Sequence, residues 1–176
     1  MPLPEDTLQE LTRTAFEALL AVDIEVSSHA EWEAHDDYRG SWVGIAGTWT
    51  GRVLVICSAR AALHAASEML QVPREEATDT DVLDAMRELV NVLGGQIMAL
   101  MPAGSKLGLP TAGACPASGF DGEPAGARVE IWMCCAGEPV IVRLLQEAET
   151  EAEPASGPRE KEQWQFSSST TAKQCA

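Results

Sequence analysis

The chain is 176 residues long, with 45% apolar and 22% charged residues, a balance that allows one domain with a sizeable core and excludes a disordered or membrane-embedded chain. Its formal charge is -15, from 27 acidic and 12 basic side chains, so a phosphate backbone or an anionic bilayer is repelled, and no apolar run reaches the roughly 18 residues a membrane span requires. Neither nucleic acid nor membrane is an expected partner, and the opening Met1-Pro2-Leu3-Pro4-Glu5-Asp6, without a basic start or an apolar stretch, makes the cytoplasm the expected compartment.

Leu8, Leu11, Phe16, Leu19 and Leu20 recur at helical spacing between Thr7 and Ala21, which predicts an amphipathic first helix. The polar stretch His29 to Tyr38 holds His29, Glu31, Glu33, His35, Asp36 and Asp37 in near-contiguous order. It reads as a solvated loop, because metal ligands come at defined spacings. From Ser41 the pattern changes. Trp42, Val43, Ile45 and Ala46, then Thr48-Trp49-Thr50-Gly51, then Val53-Leu54-Val55-Ile56-Cys57 predict a β-hairpin. Ala61, Leu63, Ala66 and Met69 set a helix from Ser58 to Leu70, ended by Pro73. A longer helix is expected from about Asp79 to Met101, with Thr78 and Asp79 as candidate caps and with Asp81 and Asp84 suited to the positive end of its dipole.

After Pro102 a short strand is expected over Leu107 to Cys115, then a loop from Ser118 to Gly126 carrying Gly119, Gly122 and Pro124. Val129 to Cys134 and Val140 to Leu145, separated by Ala136-Gly137-Glu138-Pro139, predict a second hairpin. The five cysteines, Cys57, Cys115, Cys134, Cys135 and Cys175, are odd in number and form no Cys-x-x-Cys pair, which fits reduced thiols and neither a disulfide framework nor a zinc site. Of the adjacent Cys134 and Cys135, one is expected to point inward as a small apolar residue. From Glu147 the chain turns Glu-rich, then Pro-, Ser- and Gly-containing, with Trp164 and Phe166 as its large apolar side chains, a composition that buries too little apolar surface to order itself. The expected organisation is one α+β domain over residues 1–146, an antiparallel sheet built from hairpins and packed against two long helices and an N-terminal helix, followed by a disordered acidic tail over 147–176.

The long helix is the most informative segment. At about 100° per residue, Val82, Met86, Leu89, Val90, Leu93 and Ile97 gather on one side, which is the expected core face. Asp84, Glu88, Asn91 and Gly95, at i, i+4, i+7 and i+11, fall within a stripe of about 60° on the opposite side. Gly94-Gly95 is locally unfavourable, because a glycine inside a helix costs about 1 kcal/mol relative to alanine, so close approach of another backbone, from this fold or from a partner, is expected there. By itself Glu-x-x-Asn is a common pattern that a solvated helix face explains.

The elements around that helix add a resemblance. Asp84, Glu88, Asn91 and Gly95 stand at the spacing of the helix motif in the CheX/CheC/FliY family of chemotaxis phosphatases. The upstream run Gly44-Ile45-Ala46-Gly47-Thr48-Trp49-Thr50-Gly51-Arg52-Val53, continuing to Ala61 and Met69, and Leu109-Pro110-Thr111 downstream are also similar to that family, over Leu8 to Leu145. A single Glu-x-x-Asn copy is present, since the first helix has Glu10 and Glu17 without a matching asparagine, which resembles the single-site CheX type. The resemblance implies a hydrolase that removes the aspartyl phosphate of a CheY-like receiver domain in a response regulator, in chemotaxis or related two-component signalling. In that reading Glu88 and Asn91 are the catalytic pair, Glu88 docking on a receiver lysine and Asn91 holding the attacking water, while Asp84 and Gly95 contact the partner. It further implies a homodimer, no metal or cofactor of the chain's own, and a Mg2+ ion held by the receiver. The alternative is a non-catalytic receiver-binding or dimerisation module of the same fold.

Overall fold

The computed structural model describes residues 3–28, 37–116, 118–119 and 128–147. The polar stretch 29–36, most of the loop before the second hairpin and the tail 148–176, with Trp164, Phe166 and Cys175, lie outside the described residues. The first helix, α1, runs Glu5–Leu20 and buries Leu8, Thr12, Ala15, Phe16 and Leu20. It leads into a three-residue strand, β1 (Ile24–Val26), too short and too polar in its flanks to be legible as a periodic run. The hairpin forms as expected from β2 (Tyr38–Ala46) and β3 (Gly51–Ser58), in a register that pairs Trp42 with Leu54 and Ile45 with Gly51. Ser58 then caps α2 (Ala59–Leu70), its hydroxyl accepting from the Ala61 amide at 3.1 Å. The long helix α3 spans Asp79–Ala99, two residues shorter than expected at its C-terminal end. The second hairpin is β6 (Arg128–Cys135) with β7 (Glu138–Gln146).

The strand expected over Leu107 to Cys115 is broken in two, β4 (Lys106–Leu107) and β5 (Thr111–Cys115), both paired with β2. Register gives the reason. Leu107 lies opposite Ile45 and Thr111 opposite Trp42, so Gly108, Leu109 and Pro110 face only Val43 and Gly44 of β2. The extra residue makes a β-bulge, and Pro110, which has no amide hydrogen, cannot restore the ladder there. Gly108 keeps one link, its amide donating to the Gly44 carbonyl at 2.8 Å.

The strands form an antiparallel sheet in the order β1-β6-β7-β3-β2-β4, with β5 also on β2. Period-two alternation puts Val43, Ile45, Val53, Val55, Cys57, Ile131, Met133, Cys135, Val140, Val142 and Leu144 on the face covered by the three helices, in one continuous core. The opposite face holds a smaller apolar cluster of Tyr38, Ile56 and Ile141. There Arg143, 4% exposed, donates from Nε to Glu130 at 2.6 Å and from Nη1 to the Ser118 carbonyl, so the charge buried on β7 is paired across the hairpin.

As expected, one member of the cysteine pair points inward: Cys135 is buried with the helices, while Cys134 is half-buried. Burial first, and Cys134 second, push the Cys135 thiol up to about 11, and burial pushes Cys57 up as well. An unfolded thiol ionises near 9.0, so the raised value of Cys135 contributes stability that is complete below that pH and is lost as pH climbs toward about 11. The thermal midpoint is therefore expected to fall between pH 8 and pH 10.5, by less in Cys135→Ala than in the parent when each is compared with its own value at pH 8. In the native protein at pH 8, iodoacetamide is expected to label Cys134 well before Cys57 and Cys135, as peptide mass spectrometry would read.

Candidate functional site

The N-terminus of α3 is closed by a reciprocal cap. Thr78, the first of the two expected cap residues, accepts from the Asp81 amide through its hydroxyl at 3.3 Å, and the Asp81 carboxylate accepts from the Thr78 amide at 2.8 Å and from its hydroxyl at 2.7 Å. The Thr78 hydroxyl, then its amide, hold the Asp81 carboxyl below the usual carboxylate range. From this anchored start the helix lies over β2, with α1 and α2 beside it. Val82, Met86, Leu89, Val90, Leu93 and Ile97 are all buried, joined by Ala85 and Gly94.

The opposite stripe stands at the surface. Asp84 and Glu88 are exposed, and Asn91 and Gly95 are half-buried. Asp84 is engaged within its own helix, where Arg87 Nη1 donates to its carboxylate. That i, i+3 pair was readable from the sequence, and it leaves Asp84 less available to a visitor than Glu88. No hydrogen bond or ion pair to another described residue ties down the Glu88 carboxylate or the Asn91 carboxamide. The two are three residues apart, which is about 4.5 Å along the helix axis.

The two glycines do different things. A Cβ on Gly94 would lie 2.6 Å from Val43 Cγ1 and 3.1 Å from Leu107 Cδ1, so the missing side chain is what lets α3 settle onto β2 and β4. A Cβ on Gly95 would meet nothing within 4 Å. The internal half of the expected close approach therefore belongs to Gly94, and this fold supplies no steric reason for Gly95.

The site is convex. A depression of about 350 Å³ lies over β2, β3 and β4, lined by residues such as Trp42, Gly44, Arg52, Lys106 and Gly108, and contains none of the stripe residues. Among the described residues no group of three or more His, Cys, Asp or Glu side chains is placed to hold a metal ion. An exposed carboxylate and a half-buried carboxamide on one helix face are open to a partner that brings a cleft of its own.

Two substitutions separate the glycines. Gly94→Ala is expected to destabilise the protein by about 1–3 kcal/mol through overpacking against Val43, and Gly95→Ala to stabilise it by about 0.5–1 kcal/mol through helix propensity, with denaturant unfolding of both as the check.

Comparison with known proteins bears on the fold. Residues 39–117, from β2 to just beyond β5, match the profile of the family described as chemotaxis phosphatase CheX. No curated protein sequence is matched. Among solved structures, the chemotaxis protein CheX from Vibrio vulnificus is similar over 83% of this chain and 100% of its own, with 14% identity and a TM-score of 0.65. A CheC-like superfamily protein from a Shewanella species is similar over 84% of this chain and 100% of its own, with 12% identity and a TM-score of 0.65. The CheX of a CheX-CheY-BeF3-Mg complex from Borrelia burgdorferi is similar over 81% of this chain and 97% of its own, with 13% identity and a TM-score of 0.63. The matched profile over residues 39–117 and the shared order of strands and helices make the chain similar in fold to the CheX and CheC-like proteins.

Proposed function

We propose that the chain is a phosphatase for the aspartyl phosphate of a CheY-like receiver domain, in chemotaxis or a related two-component pathway. The observation that carries this reading is the Glu88–Asn91 stripe itself, which is solvent-facing, without partners among the described residues, and followed by a glycine the fold does not need. The matched CheX profile supports it, and so does the structural likeness to a CheX seen with CheY, beryllium fluoride and magnesium. The chain's strong negative charge also fits a partner that brings its own anion-binding site, since an acidic surface does not itself gather phosphate.

In the proposed reaction a water oxygen attacks phosphorus, the bond from phosphorus to the aspartyl carboxylate breaks, and orthophosphate and a free carboxylate are left. The transition state is loose, so the attacking water needs placement in line more than it needs a strong base. A carboxamide suffices. Asn91 holds that water through its amide, which does not titrate near neutral pH and offers both donors and an acceptor. Glu88, one turn away, docks on a receiver lysine as a charged hydrogen-bond acceptor. The magnesium ion belongs to the receiver, where it neutralises the phosphoryl oxygens. Gly95 leaves clearance on the same line for the receiver's own backbone.

Asn91→Ala is expected to lower receiver dephosphorylation on the order of 100-fold with little change in binding, the loss that follows when a reactant is no longer positioned. Glu88→Ala is expected to weaken binding about tenfold, with a flatter dependence on salt than the parent shows. Gly95→Ala should slow turnover even though it stabilises the fold. Loss of radiolabelled phosphate from a CheY-type receiver, followed with and without each variant, measures all three; unchanged turnover in Asn91→Ala would remove the proposed role.

A further inference from the structure

The stripe is polar throughout, with two carboxylates, a carboxamide and a glycine, yet stable recognition of a folded partner usually needs an apolar anchor near the centre of the contact. The β4–β5 bulge supplies one. Leu109 is 89% exposed, well beyond the other exposed large aliphatic residues, Val26, Leu70 and Leu100. A lone exposed leucine is ordinary on a protein surface, so its position has to carry the argument.

Three observations fix that position. Leu107 packs at the Gly94 site of α3, and Gly94 follows Asn91 by three residues, so β4 runs along the Asn91 flank of the stripe. Gly108 is tied to the Gly44 carbonyl, which pins the start of the bulge. The extra residue between Leu107 and Thr111 then breaks the inward alternation, so Leu109 is turned out to solvent instead of following Leu107 into the core. Bulges re-aim side chains in this way at sheet edges next to functional sites.

We propose that Leu109 is the apolar docking residue of the phosphatase site, seated against the receiver domain beside the groups that Glu88 and Asn91 engage. This rests on the receiver reading of the stripe. Leu109 contributes affinity and selects among receivers, while Asn91 contributes the chemistry. A receiver with an apolar patch at the rim of its phosphorylation site is taken, and one with a charged rim is turned away.

The test uses the full chain and a panel of CheY-type receiver domains from the same organism, loaded with beryllium fluoride and Mg2+. Titration calorimetry is expected to show Leu109→Ala binding about tenfold more weakly than the parent, Leu109→Asp weaker still, and Leu109→Met within about twofold. The thermal midpoint should change little, because Leu109 is 89% exposed in the free protein. Binding of both Leu109→Ala and Leu109→Asp within twofold of the parent would overturn the inference. If the parent binds a receiver without shortening the life of its phosphoryl group, the phosphatase reading falls, while weakened binding in Leu109→Ala still upholds the docking role. If the parent binds no receiver in the panel, both readings fall.

Discussion

The contact on which the rest depends is the approach of α3 to β2 at Gly94. With no Cβ there, Val43 and Leu107 press directly against the helix backbone, and the apolar side of α3 sinks into the sheet. Settling one face that deeply decides how far the other face stands out. The reciprocal Thr78–Asp81 cap anchors the start of the helix, and the Gly94 contact sets its depth near the end. Between these two points the helix has little freedom to roll, so the carboxylate and the carboxamide are presented in one orientation. Preorganisation of this kind is what a water-positioning residue requires, because a displacement of about 1 Å at the reacting centre can cost on the order of 100-fold in rate.

The same contact separates charges that look equivalent on paper. Asp84 and Glu88 are both exposed carboxylates on one line, but Arg87 satisfies Asp84 within the helix and leaves Glu88 without a partner among the described residues. An unpaired surface carboxylate is cheap in water and becomes valuable once a partner's cation removes that water. A structural ion pair and an exposed carboxylate thus sit one turn apart, and the second is the one that the proposed docking uses.

The bulge after α3 is a second consequence. Thr48 donates from its hydroxyl to the Ala103 carbonyl at 2.9 Å, and a Cβ on Gly47 would lie 2.4 Å from the Gly104 carbonyl oxygen, so the β2–β3 turn grips the loop that leaves the helix. Held there, and held again at Gly108, the chain must fit three residues against two before it can resume pairing at Thr111. Leu109 is the residue displaced. A feature that weakens the sheet locally therefore turns an apolar side chain out to solvent on the strand segment that follows the Gly94 contact.

The sequence by itself determined the hairpins, the three helices, the buried face of α3 and the polar stripe opposite it, because period-two and period-3.6 patterns are local and strong in those segments. It also carried the resemblance to a family's helix motif, since four residues at fixed spacing on one helix need no tertiary knowledge to be recognised. Tertiary structure alone decided the rest. The three residues of β1 become a strand only because the edge of β6 offers them partners. The break between β4 and β5 depends on a register count against β2, which a linear reading cannot make, although Pro110 hinted at it. Gly94 and Gly95 are alike in sequence, and only the side chains packed around them show that one glycine serves the fold and the other is left open.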